Sequence, residues 1–383
     1  MKDKLWNAKY IYIVLVNTLI CFGFYMITTI LTVYLLEVGI EVSKAGVVVG
    51  LFSITALIMR PISGYVTDTY NQKHLMVFST ALVSIAVLGY VITANLPLIV
   101  FFRVLHGFAF AISSTAIVAM ASSYIPASRF SEGIGYLGLG QIIGSAVGPG
   151  LGVWVMNTYG TRYSFYISAG FSLLAMLVIL LLRYTAPPRP EQARKITLKG
   201  LVAVEVLDFS FVSGCYSFLN GVVASFLVLF AAQKGILDVS LYFTVSAVFL
   251  FAARPISGKL VDRFGLKTVI YPAICMTILS IIMLIGMKSL WMLLLSAAVR
   301  ALAQGALQPS LQAACIQRVG VERSGTATGT YYLGADIGQG LGPILGGFIA
   351  GLWGYTEIFY FCIGLIAFAG FIFFLSMRPK KTA

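Results

Sequence analysis

Charge is scarce in this sequence, with 26 basic and 13 acidic residues among 383, and only a few of them interrupt long uncharged stretches. Those few are where chemistry is expected, because an ionisable side chain in an apolar setting is expensive and is retained for a role. Asp336 lies deep in such a stretch. A carboxylate whose exposure changes can take up and release a proton, which makes it a candidate proton or cation site; a structural partnership, for instance with Arg300, is the alternative. Arg103 sits about six residues into another stretch, roughly 9 Å deep at 1.5 Å per residue. Proton coupling or anion binding is one role for it, and a structural pair or snorkelling to the surface is the other. Glu205 and Asp208 are three apart and share a helix face, as a vestibule for cations or protons or as an interfacial charge pair. Arg300, Gln304, Gln308 and Gln312 recur at every fourth position and draw a polar stripe down one side of a helix. Lipid cannot satisfy such a stripe, so it must face protein or a water-filled cavity. His106 belongs to the one residue type whose ordinary charge change falls between about pH 5 and 8, yet a lone histidine also serves as a plain hydrogen bonder.

The elements that hold these residues are membrane-crossing helices. The sequence is 59% hydrophobic and 10% charged, against roughly 25% charged in a soluble domain, and its mean hydropathy is +0.95. Uncharged runs occupy residues 10–36, 45–59, 74–102, 104–128, 133–161, 163–182, 209–233, 239–253, 268–287, 301–317, 337–356 and 358–377, which predicts twelve spans. The longest polar stretch, 184–200, divides the chain into six-span halves, 1–183 and 201–383. Twenty of the 26 Lys and Arg fall on the side shared by both termini, and only Lys44, Arg162, Lys234 and Lys288 fall on the other. The positive-inside rule then places both termini in the cytoplasm of a multi-pass protein of the inner membrane. The basic excess belongs to that topology, so no nucleic-acid partner is expected. The first run continues without a small-residue cleavage site and is expected to be retained as a span.

An internal repeat is written into the chain at an offset of 194 residues. Arg60-Pro61-Ile62-Ser63-Gly64 recurs as Arg254-Pro255-Ile256-Ser257-Gly258, followed by Asp68 with Asp262 and Lys73 with Lys267. Gly140, Gly144, Gly148, Pro149 and Gly152 pair with Gly334, Gly338, Gly342, Pro343 and Gly346. A duplicated six-helix unit of equal topology has its halves related by an axis along the membrane normal. Glycine at every fourth position lets a neighbouring backbone approach closely, and the two prolines remove backbone hydrogen bonds and permit bending.

These residues resemble the major facilitator superfamily. Gly64-Tyr-Val-Thr-Asp68 through Lys73, and Gly258-Lys-Leu-Val-Asp262 through Lys267, look like the two copies of its loop signature. The stretch Gly144-Ser-Ala-Val-Gly148-Pro149-Gly150-Leu-Gly152 resembles the fifth-helix motif of the twelve-helix drug:proton antiporter branch, and Arg103-Val-Leu-His106-Gly107 its fourth-helix arginine motif. Two departures stand out: Asn71 replaces a favoured glycine, and the second arginine motif, Arg300 to Gly305, is one residue longer.

The resemblance implies an all-α membrane protein of twelve transmembrane helices in two pseudo-symmetric bundles. It implies gating roles for Gly64, Asp68, Lys73, Gly258, Asp262 and Lys267 and for the fifth-helix Gly144, Gly148, Pro149 and Gly152. Asp68 at the end of its helix can cap a neighbouring helix N-terminus, pair with a basic group such as Lys73, or stand as a solvated loop charge. Spans one, four, seven and ten line the central path in this superfamily, so Phe22, Tyr25, His106, Phe110, Tyr216, Asn220, Arg300, Gln304 and Gln308, with Gln141, are candidate substrate contacts. The expected activity is proton-coupled efflux of a small, partly apolar compound; export of a specific polar metabolite, or a receptor on the same fold, are the alternatives. Small-molecule substrate, protons and lipid are the expected partners of a monomer. HExxH and GxSxG motifs are absent, so an enzyme is not expected. The five cysteines show no C-x-x-C spacing, and neither metal nor cofactor is expected.

Overall fold

The computed structural model describes residues 4–184, 198–236 and 239–377, so the connection expected at 184–200 lies almost entirely outside the described residues. The described residues form helices and no strand: α1 (Ala8–Glu37), α2 (Val42–Thr69), α3 (Gln72–Ile92), α4 (Leu96–Ser122), α5 (Phe130–Leu137), α6 (Leu139–Tyr159), α7 (Thr161–Leu181), α8 (Leu198–Leu201), α9 (Leu207–Gln233), α10 (Ser240–Phe264), α11 (Leu266–Ile285), α12 (Leu290–Val319), α13 (Ser324–Trp353) and α14 (Tyr355–Ser376). Among the described residues, eleven spans are long and apolar enough to cross a membrane. The twelfth is α13, 30 residues long, whose many glycines dilute its hydropathy. The protein is an all-α, multi-pass membrane protein.

Local sequence sets the boundaries. Asparagines close three N-termini: Asn7 accepts from the N–H of Tyr10, Asn71 from Lys73 and His74, and Asn95 from Leu98. Gly160 and Gly354, equivalent at the repeat offset, stand at φ +105° and +111° where one helix stops and the next starts, a conformation that a side chain would strain. The fifth uncharged stretch is two helices, α5 and α6, joined at Gly138. There the Asn17 side chain from α1 donates to the Leu137 carbonyl at 2.8 Å, and an inserted side chain is a recognised cause of a break in the ladder.

The chain forms two compact units, Met1–Arg129 with Tyr136–Ala203 and Val319–Gly329, and Phe130–Gly135 with Val204–Arg318 and Thr330–Ala383. In the first, α1 packs on α6 and α7, α2 on α4, and α3 on α4 and α7. In the second, α14 packs on α9 and α11. Glycine seams let backbones touch. A Cβ on Gly144 would meet Cys21 at 2.9 Å, and one on Gly148 would meet Tyr25 at 3.0 Å, so α6 lies against the α1 backbone. On α13, Gly338 and Gly342 lie in the same way against the α9 carbonyls of Gly214 and Phe218. Large apolar side chains such as Ile92, Trp291 and Ile344 remain exposed, as a lipid-facing surface requires.

Gly338→Ala must therefore push two backbones apart. It is expected to lower stability by about 1–3 kcal/mol, read as a lower melting temperature in detergent. Gly150→Ala, whose Cβ would enter open space, is expected to change it by less than about 1 kcal/mol.

Candidate functional site

The two loop-signature aspartates close two helix starts. Asp68, at the end of α2, accepts from the backbone N–H of Gly325 at 2.7 Å and of Thr326 at 2.8 Å, and from the Thr326 hydroxyl at 2.5 Å. Asp262, near the end of α10, accepts from the N–H of Ser131 and of Glu132, both at 2.9 Å. Each carboxylate satisfies N–H groups in a first helical turn that have no partner in their own helix, and it meets the positive end of the macrodipole. The pairs are equivalent at the repeat offset, since 68, 325 and 326 correspond to 262, 131 and 132 with the halves exchanged. Each cap lies within one compact unit, because Val319–Gly329 belongs to the first and Phe130–Gly135 to the second.

Glycine makes these crossings possible. A Cβ on Gly64 would meet the Gly325 carbonyl at 2.9 Å, and one on Gly329 would meet the Arg60 carbonyl at 2.7 Å. The other crossing repeats this, with Gly258 against the Ser131 carbonyl at 2.6 Å and Gly135 against that of Arg254 at 2.7 Å. The buried Glu132 also lies 3.6 Å from Lys259.

Of the three readings open to Asp68, the structure shows helix capping. Lys73 instead donates to the carbonyls of Leu180 and Leu182, both at 2.9 Å, and closes the C-terminus of α7. Lys267 is exposed and makes no hydrogen bond or ion pair among the described residues. The departure at Asn71 has a local explanation: Asn71 holds φ −64° and caps α3, whereas its equivalent Gly265 stands at φ +87°.

In the first unit, Arg103 and His106 are both buried on α4. Arg103 donates to the carbonyls of Val48 (3.3 Å) and Val49 (2.9 Å) and lies over the Phe52 ring at 4.7 Å. His106 Nδ1 is 3.1 Å from the Tyr90 hydroxyl, while Nε2 is buried without a partner. The rings of Phe24 and Phe52 lie 6.4 and 5.1 Å from the imidazole, and Phe110 stacks on Phe24 at 4.6 Å. Phe22 is not in this box and packs on Phe171 at 5.7 Å. Gln141 is exposed and donates to the Tyr25 hydroxyl at 3.3 Å.

In the second unit, the stripe on α12 faces protein. Arg300 donates to the Tyr242 hydroxyl at 3.2 Å and to the Asn220 carbonyl oxygen, and its Nε is buried without a partner. Gln304 reaches Gln308 at 3.5 Å, and Gln312 the Tyr332 hydroxyl at 3.1 Å. Tyr216 is buried one turn before Asn220 on α9. Asp208 pairs with Arg318 at 2.6 Å and accepts from Ser376, and the Arg318 guanidinium covers the Phe209 ring at 3.7 Å. Glu205 is exposed, and its backbone carbonyl accepts from Arg318 at 3.0 Å. Asp336 is half-buried on α13, two residues from Gly334 and Gly338, and so on the side roughly opposite the seam with α9.

The sequence matches the Major Facilitator Superfamily over residues 13–231 and 209–383. The chain belongs to that superfamily. It is 26% identical over 383 aligned positions to the multidrug resistance protein MdtG of Dickeya zeae, covering 94% of this chain and 92% of that protein. It is also 26% identical over 348 positions to the multi-drug resistance efflux pump PmrA of Streptococcus pneumoniae, covering 85% and 84%. Among solved structures, the human organic anion transporter MFSD10 superposes with a TM-score of 0.81 at 16% identity, covering 95% of this chain and 98% of that one. A bacterial homologue of the iron transporter ferroportin also gives 0.81, at 13% identity, covering 97% and 99%. At those identities the structural likeness shows the fold alone. The protein is a major facilitator transporter and not an enzyme.

Several residues of these clusters carry no motif, among them Phe24, Phe52, Tyr90, Tyr242 and Arg318. Lys259 and Arg318 were visible only as basic residues near helix ends.

Arg103 holds two carbonyls with a forked donor that a lysine cannot reproduce. Arg103→Lys is expected to lower stability by about 1–3 kcal/mol, measured by thermal melting in detergent, whereas Lys267→Met should leave the melting temperature unchanged.

Proposed function

We propose that this transporter is a proton-driven exporter of small, partly apolar compounds that works by alternating access between its two six-helix halves as a monomer. The observation that carries this reading is the α6 seam, in which Gly140, Gly144, Gly148 and Gly152 hold the α1 backbone while Pro149 sits within the helix. That is the motif whose resemblance points to the antiporter branch, and the names of the MdtG and PmrA relatives support export. The excess of basic residues on one side supports a place in the cytoplasmic membrane with both termini inside. In that orientation the Asp68 and Asp262 caps lie at the cytoplasmic ends of their helices and stabilise one conformation of the cycle.

Coupling is assigned to Asp336. It is the acidic residue placed deepest in the predicted spans, it lies away from the α9 seam, and its repeat equivalent is the apolar Ile142, so the fold does not require a carboxylate there. Arg103 and His106 provide a second polar cluster, whose orphan Nε2 is free to take part in proton handling.

The test is proton flux measured together with efflux of a panel of amphipathic fluorescent compounds, cationic, neutral and anionic, in proteoliposomes with an imposed pH gradient. Wild type is expected to drive uphill transport of some of the panel. Asp336→Asn should abolish it while changing binding affinity by less than about threefold, a free-energy difference under 1 kcal/mol. A fully coupled Asp336→Asn protein would reject this assignment.

A further inference from the structure

Arg300 is a charge that the fold does not explain. Its position corresponds at the repeat offset to His106, which sits among Phe24 and Phe52 and bonds one hydroxyl. At this position the first copy has no fixed cation, and Arg103, the arginine of its own motif, lies about one turn earlier on α4. In the second copy, α12 instead carries a guanidinium whose two hydrogen-bond partners, the Tyr242 hydroxyl and the Asn220 amide oxygen, are neutral. Two of its five N–H donors are engaged, and Nε is buried with none.

Among the described residues no carboxylate forms an ion pair with Arg300, and three acidic groups of the same unit lie in other contacts. Asp208 is paired with Arg318 and Ser376, Asp262 holds the N–H groups of Ser131 and Glu132, and Glu132 faces Lys259. Arg103 differs, being held by two carbonyls and a ring face, and it has no amides beside it in sequence. One and two turns beyond Arg300, by contrast, Gln304 and Gln308 add amide donors on the same helix face.

A partly desolvated cation without a counter-ion costs several kcal/mol within a membrane span. An anionic ligand offsets that penalty, and of the simple anionic groups a carboxylate matches a guanidinium fork in plane and spacing. We propose that Arg300, with Asn220, Tyr242 and Gln304, is a subsite for a singly charged carboxylate, so that the transported compounds include apolar monocarboxylates. Asn220 and Tyr242 occupy the two Nη groups when no ligand is bound, and the carboxylate takes the unoccupied Nε and displaces one of them from its Nη group while Gln304 donates to its outer oxygen. This names a substrate class for the exporter proposed above and rests on that reading.

The test is equilibrium binding of 2-naphthoate and of its uncharged analogue 2-naphthamide to the full-length protein in lipid nanodiscs, without any gradient. The carboxylate is expected to bind at least about tenfold more tightly than the amide, about 1.4 kcal/mol. Arg300→Gln should erase that preference, Arg300→Lys should retain part of it, and Arg318→Gln should leave it intact. Equal binding of acid and amide, absence of binding by both, or a preference that survives in Arg300→Gln would each overturn the proposal. If Arg300→Gln fails to fold, a preference in Arg300→Lys equal to wild type overturns it in the same way. Because no proton flux is read, loss of coupling in vesicles and loss of carboxylate preference in nanodiscs are separate results.

Discussion

Every helix begins with backbone N–H groups that its own turns cannot satisfy, and in a tightly packed membrane protein water is a poor substitute. This chain resolves that constraint at two of its helix starts with carboxylates supplied by the other repeat. Asp68 reaches residues 257 and 258 positions away, and Asp262 reaches 131 and 130 positions back. Much of the surrounding sequence follows from those two contacts. The crossing helices must approach until backbones touch, which requires Gly64, Gly329, Gly135 and Gly258.

The energy of such a contact suits a switch. A capping interaction contributes about 0.5–2 kcal/mol, and a charge-assisted hydrogen bond about 1.5–3 kcal/mol. Those magnitudes shift a two-state equilibrium by about twofold to somewhat over a hundredfold. They are small beside the packing of a six-helix unit, so breaking one cap leaves the helices folded. The glycine seams of α6 and α13 play a complementary part. Their contacts with α1 and α9 depend on the absence of side chains along one face, while Pro149 and Pro343 interrupt the ladder of the same helices.

The spans and the repeat were legible in the sequence because hydropathy and identity at a fixed offset are written in side chains. The capping role of Asp68 was legible as one of three possibilities, and its place at a helix end and its duplication favoured a charge contact over a solvated loop charge. Its partner was not legible: Gly325 and Thr326 contribute backbone N–H groups, which have no sequence signature, and neither residue matches its repeat equivalent. The aromatic contacts were obscured for another reason. In α1 both lipid-facing and core-facing positions are apolar, so periodicity could not tell that Phe24, and not Phe22, meets the imidazole of His106. The α12 stripe was readable because its polar residues contrast with an apolar helix, but Tyr242 and Tyr332, which receive it from neighbouring helices, look like any other tyrosine.

The central claim is that the carboxylate cap at Asp68 stabilises one conformation of the transport cycle. Asp68→Asn keeps the shape of the side chain, removes its charge, and leaves one oxygen to face N–H groups that now face two acceptors. The most direct measurement is the transport rate of this variant in proteoliposomes, beside wild type at equal reconstituted amounts and with melting temperature as the check on folding. A fall of at least about tenfold, the consequence of losing about 1.4 kcal/mol, with the protein still folded, is the predicted result. A folded Asp68→Asn protein that transports at the wild-type rate would contradict the account.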